Sequence, residues 1–167
     1  MSVPPTEALR STGALPRLPR QLLRSWYILF NQLPLLPEQV LRPLVAKLWR
    51  DWSPAYDAAE DLPHVYASLD SAEHRRAAIG YYRATTRPWG MPADYKRWQA
   101  ALTGRAITPT LYLHGRDDGC LGPEFVPYVE PVLPAGSEVH VVDDAGHFLQ
   151  LEQPAVVNEL IRRFLAR

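Results

Sequence analysis

At 167 residues, with 47% hydrophobic and 10% aromatic residues, the chain has the balance of one globular domain rather than of a disordered or fibrous segment. Lys plus Arg equals Asp plus Glu at 18 each, and the arginines are scattered, which argues against a nucleic-acid partner. No apolar run approaches the roughly 20 residues that span a bilayer, so no membrane span is expected; with an N-terminus M-S-V-P-P-T-E-A-L-R that lacks a signal-peptide layout and a single Cys120, a cytoplasmic location is the expectation.

Residues 1–17, with Pro4, Pro5, Gly13 and Pro16, read as a connecting segment. From Leu18, apolar residues recur at steps of three and four through Leu22, Leu23, Trp26, Tyr27, Phe30 and Leu33, which predicts one helix running until Pro34. A second amphipathic helix is predicted from about Glu38 to Trp49, with Val40, Leu41, Leu44, Val45 and Leu48 on one side. Asp70 followed by Glu73 has the form of a capping box and predicts a third helix through G-Y-Y-R. Pro88, Trp89, Gly90 and Pro92 interrupt the chain, and a short helix is predicted from Asp94 to Leu102, ending at Gly104. Residues 18–103 therefore read as an all-helical unit.

From residue 104 to 167 the pattern changes to α/β. Two short apolar runs, Leu111 to Leu113 and Val139 to Val142, alternate with helical segments, and an amphipathic helix closes the chain with Val156, Val157, Leu160, Ile161, Phe164 and Leu165 inward. The stretch between the runs is long enough for one crossover, including a helix, between parallel strands. Each run ends at a polar turn with one ionisable group, Asp118 in G-R-D-D-G and His147 in D-D-A-G-H-F. Loops at the carboxyl ends of parallel strands converge on one crevice, and a histidine base needs a carboxylate on its other nitrogen to fix its tautomer. Asp118 and His147 are thus the candidate catalytic acid and base. Cys120 reads as an incidental loop residue. His64, His74, His114 and His140 suggest no role, and no Cys, His or carboxylate set has metal-ligand spacing, so neither a metal nor another cofactor is expected.

These motifs, P-T-L-Y-L-H-G-R-D-D and D-D-A-G-H-F-L-Q-L-E-Q-P, together resemble those of the α/β-hydrolases, and within them the epoxide-hydrolase-like branch. The resemblance implies that Asp118 and His147 are members of the catalytic triad and that the helical section is the family's lid. R-S-W-Y-I-L-F-N-Q-L-P resembles the first lid helix, which puts at Tyr27 a phenol that binds the epoxide oxygen; G-Y-Y-R resembles the segment carrying the second such phenol, at Tyr82. Two phenols of pKa about 10 suit the alkoxide charge that ring opening develops. Tyr81 competes for the second position, but on a helix it points about 100° away from Tyr82.

The resemblance also implies a nucleophile, in epoxide hydrolases an aspartate on a G-x-D-x-G elbow, and an H-G-x-P oxyanion loop. Only Asp117 has the elbow spacing here, and it is rejected because Leu121-Gly122-Pro123 follows where a helix should start and because its turn already carries the acid. The expected fold is the C-terminal portion of an α/β-hydrolase: a connecting segment (1–17), a helical lid (18–103), and a core portion with two parallel strands flanked by helices (104–167). The expected function is epoxide-hydrolase-like, acting on a small apolar epoxide-like substrate, with no nucleophile in the chain and the missing N-terminal half as a possible partner in trans. The alternatives are a haloalkane or ester hydrolase of the same superfamily and a non-catalytic binding module. Two strands without the rest of their sheet should also leave apolar surface exposed.

Overall fold

The computed structural model describes residues 4–87, 92–95, 104 and 106–167. The leading segment, expected to be only a connection, contains a short helix, α1 (Thr6–Leu9), whose Ala8 is fully buried. A 3-10 turn at Leu15–Arg17 leads into α2 (Leu18–Arg24), and after Ser25 comes α3 (Trp26–Phe30). The single helix expected here is therefore two. Ser25 leaves helical geometry (φ −89°, ψ 13°), and its hydroxyl accepts a hydrogen bond from the Gln21 side chain, Nε2, at 3.1 Å; serine is a weaker helix former than the leucines around it. As a result Leu22 and Leu23, which one continuous stripe would turn inward, are 71% and 76% exposed.

The next helices are α4 (Leu36–Gln39) and α5 (Leu41–Trp52). The helix expected from Glu38 to Trp49 starts later and ends later, and Pro43 explains the shift. A helix begun at residue 38 would hold Pro43 in its interior, without an N–H and against a carbonyl one turn back, whereas in α5 it lies in the first turn, where amides have no intrahelical partner. Leu41, Leu44 and Leu48 are buried in the core of the helical section together with Tyr27, Ile79 and Cys120. Helix α6 (Leu62–Ser68) follows, then α7 (Ala72–Thr86). The cap of α7 is Ser71, whose hydroxyl accepts from His74 N at 3.0 Å, one residue later than the Asp70–Glu73 expectation. Asp70 instead pairs with Arg42 at 2.9 Å. The helix expected over 94–102 lies outside the described residues except at Asp94 and Tyr95.

Strands β1 (Leu111–Gly115) and β2 (Glu138–Val142) pair in parallel, with Leu113 opposite His140. The expected crossover helix between them is a pair of 3-10 turns, Pro123–Tyr128 and Glu130–Val132. Pro123, Pro127, Pro131 and Pro134 remove the amide donors that an α-helix would need there. These turns and α1 cover one sheet face, with Ala8, Tyr112, Val126 and Val129 buried between them. On the other face, Leu113 and Val142 pack with Ala145, with Leu149 of α8 (Leu149–Glu152) and with Val157 of α9 (Pro154–Leu165).

The terminal helix is amphipathic as expected, but only part of its apolar side is covered. Val157 is buried and Leu160 packs on the core, while Val156, Ile161 and Leu165 are exposed, Leu165 at 75%. Among the described residues β1 pairs with β2 alone. Thr110 O accepts from Glu138 N and Arg116 N donates to Val142 O, so the even-numbered residues of β1 face β2 and the amides of Leu111 and Leu113 point to the open edge. Beside that edge lies an apolar groove of about 670 Å3, lined by Leu111, Leu113, Val157, Ile161 and Phe164 and reaching His147. No helix among the described residues is long and apolar enough to cross a membrane.

Candidate active site

The turn after β1 carries Asp118, which is 1% exposed. Its Oδ1 accepts from Cys120 N at 2.7 Å and Leu121 N at 2.9 Å, which fixes the plane of the carboxylate. Its Oδ2 accepts from His147 Nδ1 at 3.0 Å. A carboxylate offers no proton, so the hydrogen lies on Nδ1 and the other ring nitrogen, Nε2, carries a lone pair when the imidazole is neutral. The two turns are joined by backbone bonds as well: Arg116 N to Val142 O and Asp117 N to Ala145 O, both at 2.9 Å. Adjacent parallel strands thus bring the acid and the base together, whereas the Asp117 side chain is exposed beside them.

Tyr27, on α3, is buried in the core of the helical section. Its ring meets Trp52 edge-on at 5.2 Å between centroids and Tyr82 at 5.7 Å with an 89° interplanar angle. Tyr82 is half-buried on α7, and its neighbour Tyr81 is 71% exposed. Burial, and next the nearby Cys120, push the Tyr27 phenol far above its usual range, and burial raises Tyr82 too. Both therefore stay protonated and able to donate. Trp52 links the phenols to the base, since its ring lies 5.0 Å from that of His147.

Three contributors went unread in the sequence. Cys120, read as an incidental loop residue, is buried in the helical core, and its Sγ lies 3.7 Å from the Tyr27 hydroxyl. Gln21 of α2 grips the Asp118 turn, with Nε2 donating to Cys120 O at 2.8 Å and Oε1 accepting from Gly122 N at 3.1 Å. His114 is fully buried on β1, where Nδ1 accepts from the Tyr112 hydroxyl at 2.8 Å and Nε2 donates to Leu121 O at 3.0 Å. The Leu121 carbonyl, which can only accept, fixes this tautomer with its hydrogen on Nε2, and burial lowers the His114 pKa so that the ring stays neutral. The available signal was closeness to Asp118 in sequence, which cannot name a partner about a hundred residues away.

Folding also gathers a set that linear spacing did not suggest: ligand atoms of Asp118, Cys120 and His147 lie within 4.8 Å of one another. Both Asp118 oxygens are engaged by amides and imidazole, and burial raises the Cys120 thiol to about 11. A metal would have to displace the Asp118–His147 bond and ionise that thiol, so the donor set does not fit a resident ion.

Several known proteins are similar to the chain along most of its length. Epoxide hydrolase 3 of Xenopus tropicalis is 30% identical over 155 residues, covering 88% of this chain and 40% of the relative. The AB hydrolase superfamily protein YfhM of Bacillus subtilis is 28% identical over 155 residues, covering 90% and 51%. Epoxide hydrolase 4 of Homo sapiens is 24% identical over 162 residues, covering 89% and 41%. No family model and no solved structure matches the chain. With its two parallel strands and a helical section ahead of them, the chain belongs to the α/β-hydrolase superfamily. It corresponds to the C-terminal part of the fold, spanning about half or less of the relatives it matches.

Proposed function

We propose that the chain supplies the acid, the base and the lid phenols of an epoxide hydrolase, and that the nucleophile comes from a segment outside these 167 residues. The observation that carries this reading is the buried Asp118 Oδ2 to His147 Nδ1 bond of 3.0 Å, with Trp52 linking the base to the Tyr27–Tyr82 pair. In this reading a carboxylate attacks an epoxide carbon, the C–O bond breaks, and Tyr27 and Tyr82 stabilise and protonate the oxygen that leaves. His147 Nε2 then takes a proton from the water that cleaves the alkyl ester, while Asp118 stabilises the imidazolium. No metal or cofactor enters. The open edge of β1 and its apolar groove suit an N-terminal α/β unit, fused or in trans, as the missing part. A lone, buried thiol makes a cytoplasmic site of action part of the same reading.

The test joins the N-terminal part of a relative to this chain and measures diol formation from a small aryl epoxide. Activity is expected, and His147→Gln should lower it by roughly a hundredfold to ten-thousandfold. A folded, completed protein without diol formation would sink the epoxide assignment, and full activity of His147→Gln would sink the role of the base. A second reading, an interaction module without turnover, is favoured by one contact: the Tyr27 hydroxyl faces Cys120 in a closed lid core. Covalent labelling of this chain alone by a mechanism-based epoxide would contradict it. If the completing nucleophile is serine rather than aspartate, the same acid and base would serve an ester, whereas aspartate would also suit a haloalkane.

A further inference from the structure

Three consecutive backbone amides around the base are held from outside their own turn. Gly146 N donates to Glu152 Oε2 at 2.9 Å, His147 N to Trp52 O at 3.0 Å, and Phe148 N to Ser53 Oγ at 3.2 Å. Ser53 is 1% exposed, and its hydroxyl donates to Glu152 Oε1 at 2.8 Å. The two oxygens of one carboxylate therefore connect the helix after the base with the lid segment that follows α5. Close backbone approach makes this possible: a Cβ on Gly146 would lie 2.6 Å from Ser53 Cα. The irregular turn from Asp144 to Phe148 has no ladder of its own to satisfy these donors, so its conformation depends on partners supplied by Trp52, Ser53 and Glu152.

We propose that the Ser53–Glu152 pair positions His147, holding its imidazole in line with Asp118 only while the lid segment at residues 52–53 is docked. Ser53 and Glu152 touch neither Asp118 nor the imidazole in this network; they act through the main chain on either side of the base. The pair thus makes alignment of the base conditional on the lid, which contributes nothing to the chemistry at that point. What the aligned base does rests on the hydrolase reading, but the alignment itself does not.

The test reads the imidazole directly by proton–nitrogen NMR of the full 167-residue chain with labelled histidine. The unsubstituted chain should show a hydrogen-bonded His147 Nδ1–H. In Ser53→Ala and Glu152→Ala this proton should exchange with solvent roughly fivefold to tenfold faster, and the share of the opposite tautomer should rise, while the His114 signals stay in place. Val129→Ala, which loosens the separate core on the other sheet face, should lower the denaturation midpoint without moving the His147 signals. If Ser53→Ala fails to fold, Glu152→Ala, at a half-exposed side chain, decides the matter. Unchanged His147 exchange and tautomer in a folded Glu152→Ala chain would overturn the proposal, as would the absence of a hydrogen-bonded Nδ1–H in the unsubstituted chain. A completed enzyme that never opens an epoxide would leave this outcome standing.

Discussion

Cys120 lies two residues beyond the acid, and its surroundings set how its thiol behaves. Burial is the main cause of its rise from 9.0 to about 11, with the Tyr27 hydroxyl acting weakly in the opposite direction. Between those values the folded chain keeps a proton that the unfolded chain has released, so stability falls as pH rises from about 9 to about 11. Tyr27, also raised by burial, adds to the loss at higher pH. His114 works from the acid side: its pKa is lowered from 6.5, so below that value the unfolded chain binds a proton the folded one refuses, and stability falls as the solution is acidified. Urea midpoints should thus decline on both sides of neutrality, with Cys120→Ala flattening the alkaline limb and His114→Gln the acid one. A midpoint that climbs above pH 9 would contradict this account of the thiol. At this scale Asp118 and His147 were legible because each closes an apolar run. Cys120 was not, because nothing in D-D-G-C-L-G indicates that the loop inserts into a core built by residues 27–79.

At the scale of elements, the helices were legible as apolar period and their limits were not. The stripe from Leu22 to Leu33 persists across Ser25, because a break that costs little rotation leaves the spacing intact. Pro43 was the unused clue for α5, since it admits a helix start close before it and forbids one a full turn earlier. Arg83, without a signal in the sequence, ties α7 to α4 and to the chain just ahead of it. Its guanidinium donates to Glu38 at 2.6 and 3.2 Å, to Asn31 O at 3.1 Å and to Leu33 O at 2.6 Å. Hydrogen bonding to Arg83 holds the Glu38 carboxyl below its usual 4.5. The pair therefore contributes stability above pH 4.5 that is lost as pH falls through the lowered value. Arg83→Gln should cost about 1–3 kcal/mol at pH 7 in urea denaturation and less at acid pH, once Glu38 is protonated. Equal losses at the two pH values would show that the guanidinium acts by packing alone.

For the whole molecule, the consequential feature is an apolar side left without cover among the described residues. The sequence pattern of α9 indicates which residues share a face, but it cannot indicate whether anything lies against that face, so Ile161 and Leu165 read as core and stand exposed. The open edge of β1 runs beside them. Exposed apolar grooves and unpaired strand edges both promote association. The isolated chain should bind a hydrophobic dye and self-associate with rising concentration, and Ile161→Glu together with Phe164→Glu should weaken both. Addition of a completing N-terminal half should displace the dye. A chain that stays monomeric and dark with the dye at high concentration would show that the groove is not an adhesive surface.

One carbonyl reaches across these scales. The Trp52 oxygen that accepts from His147 N also accepts from Gly119 N at 3.1 Å, so a single atom serves the turn of His147 and the turn of Asp118. The two turns therefore share one internal coordinate. Any fluctuation that lifts residue 52 strips a partner from both amides in the same instant, and the two turns lose that anchor as one event rather than as two.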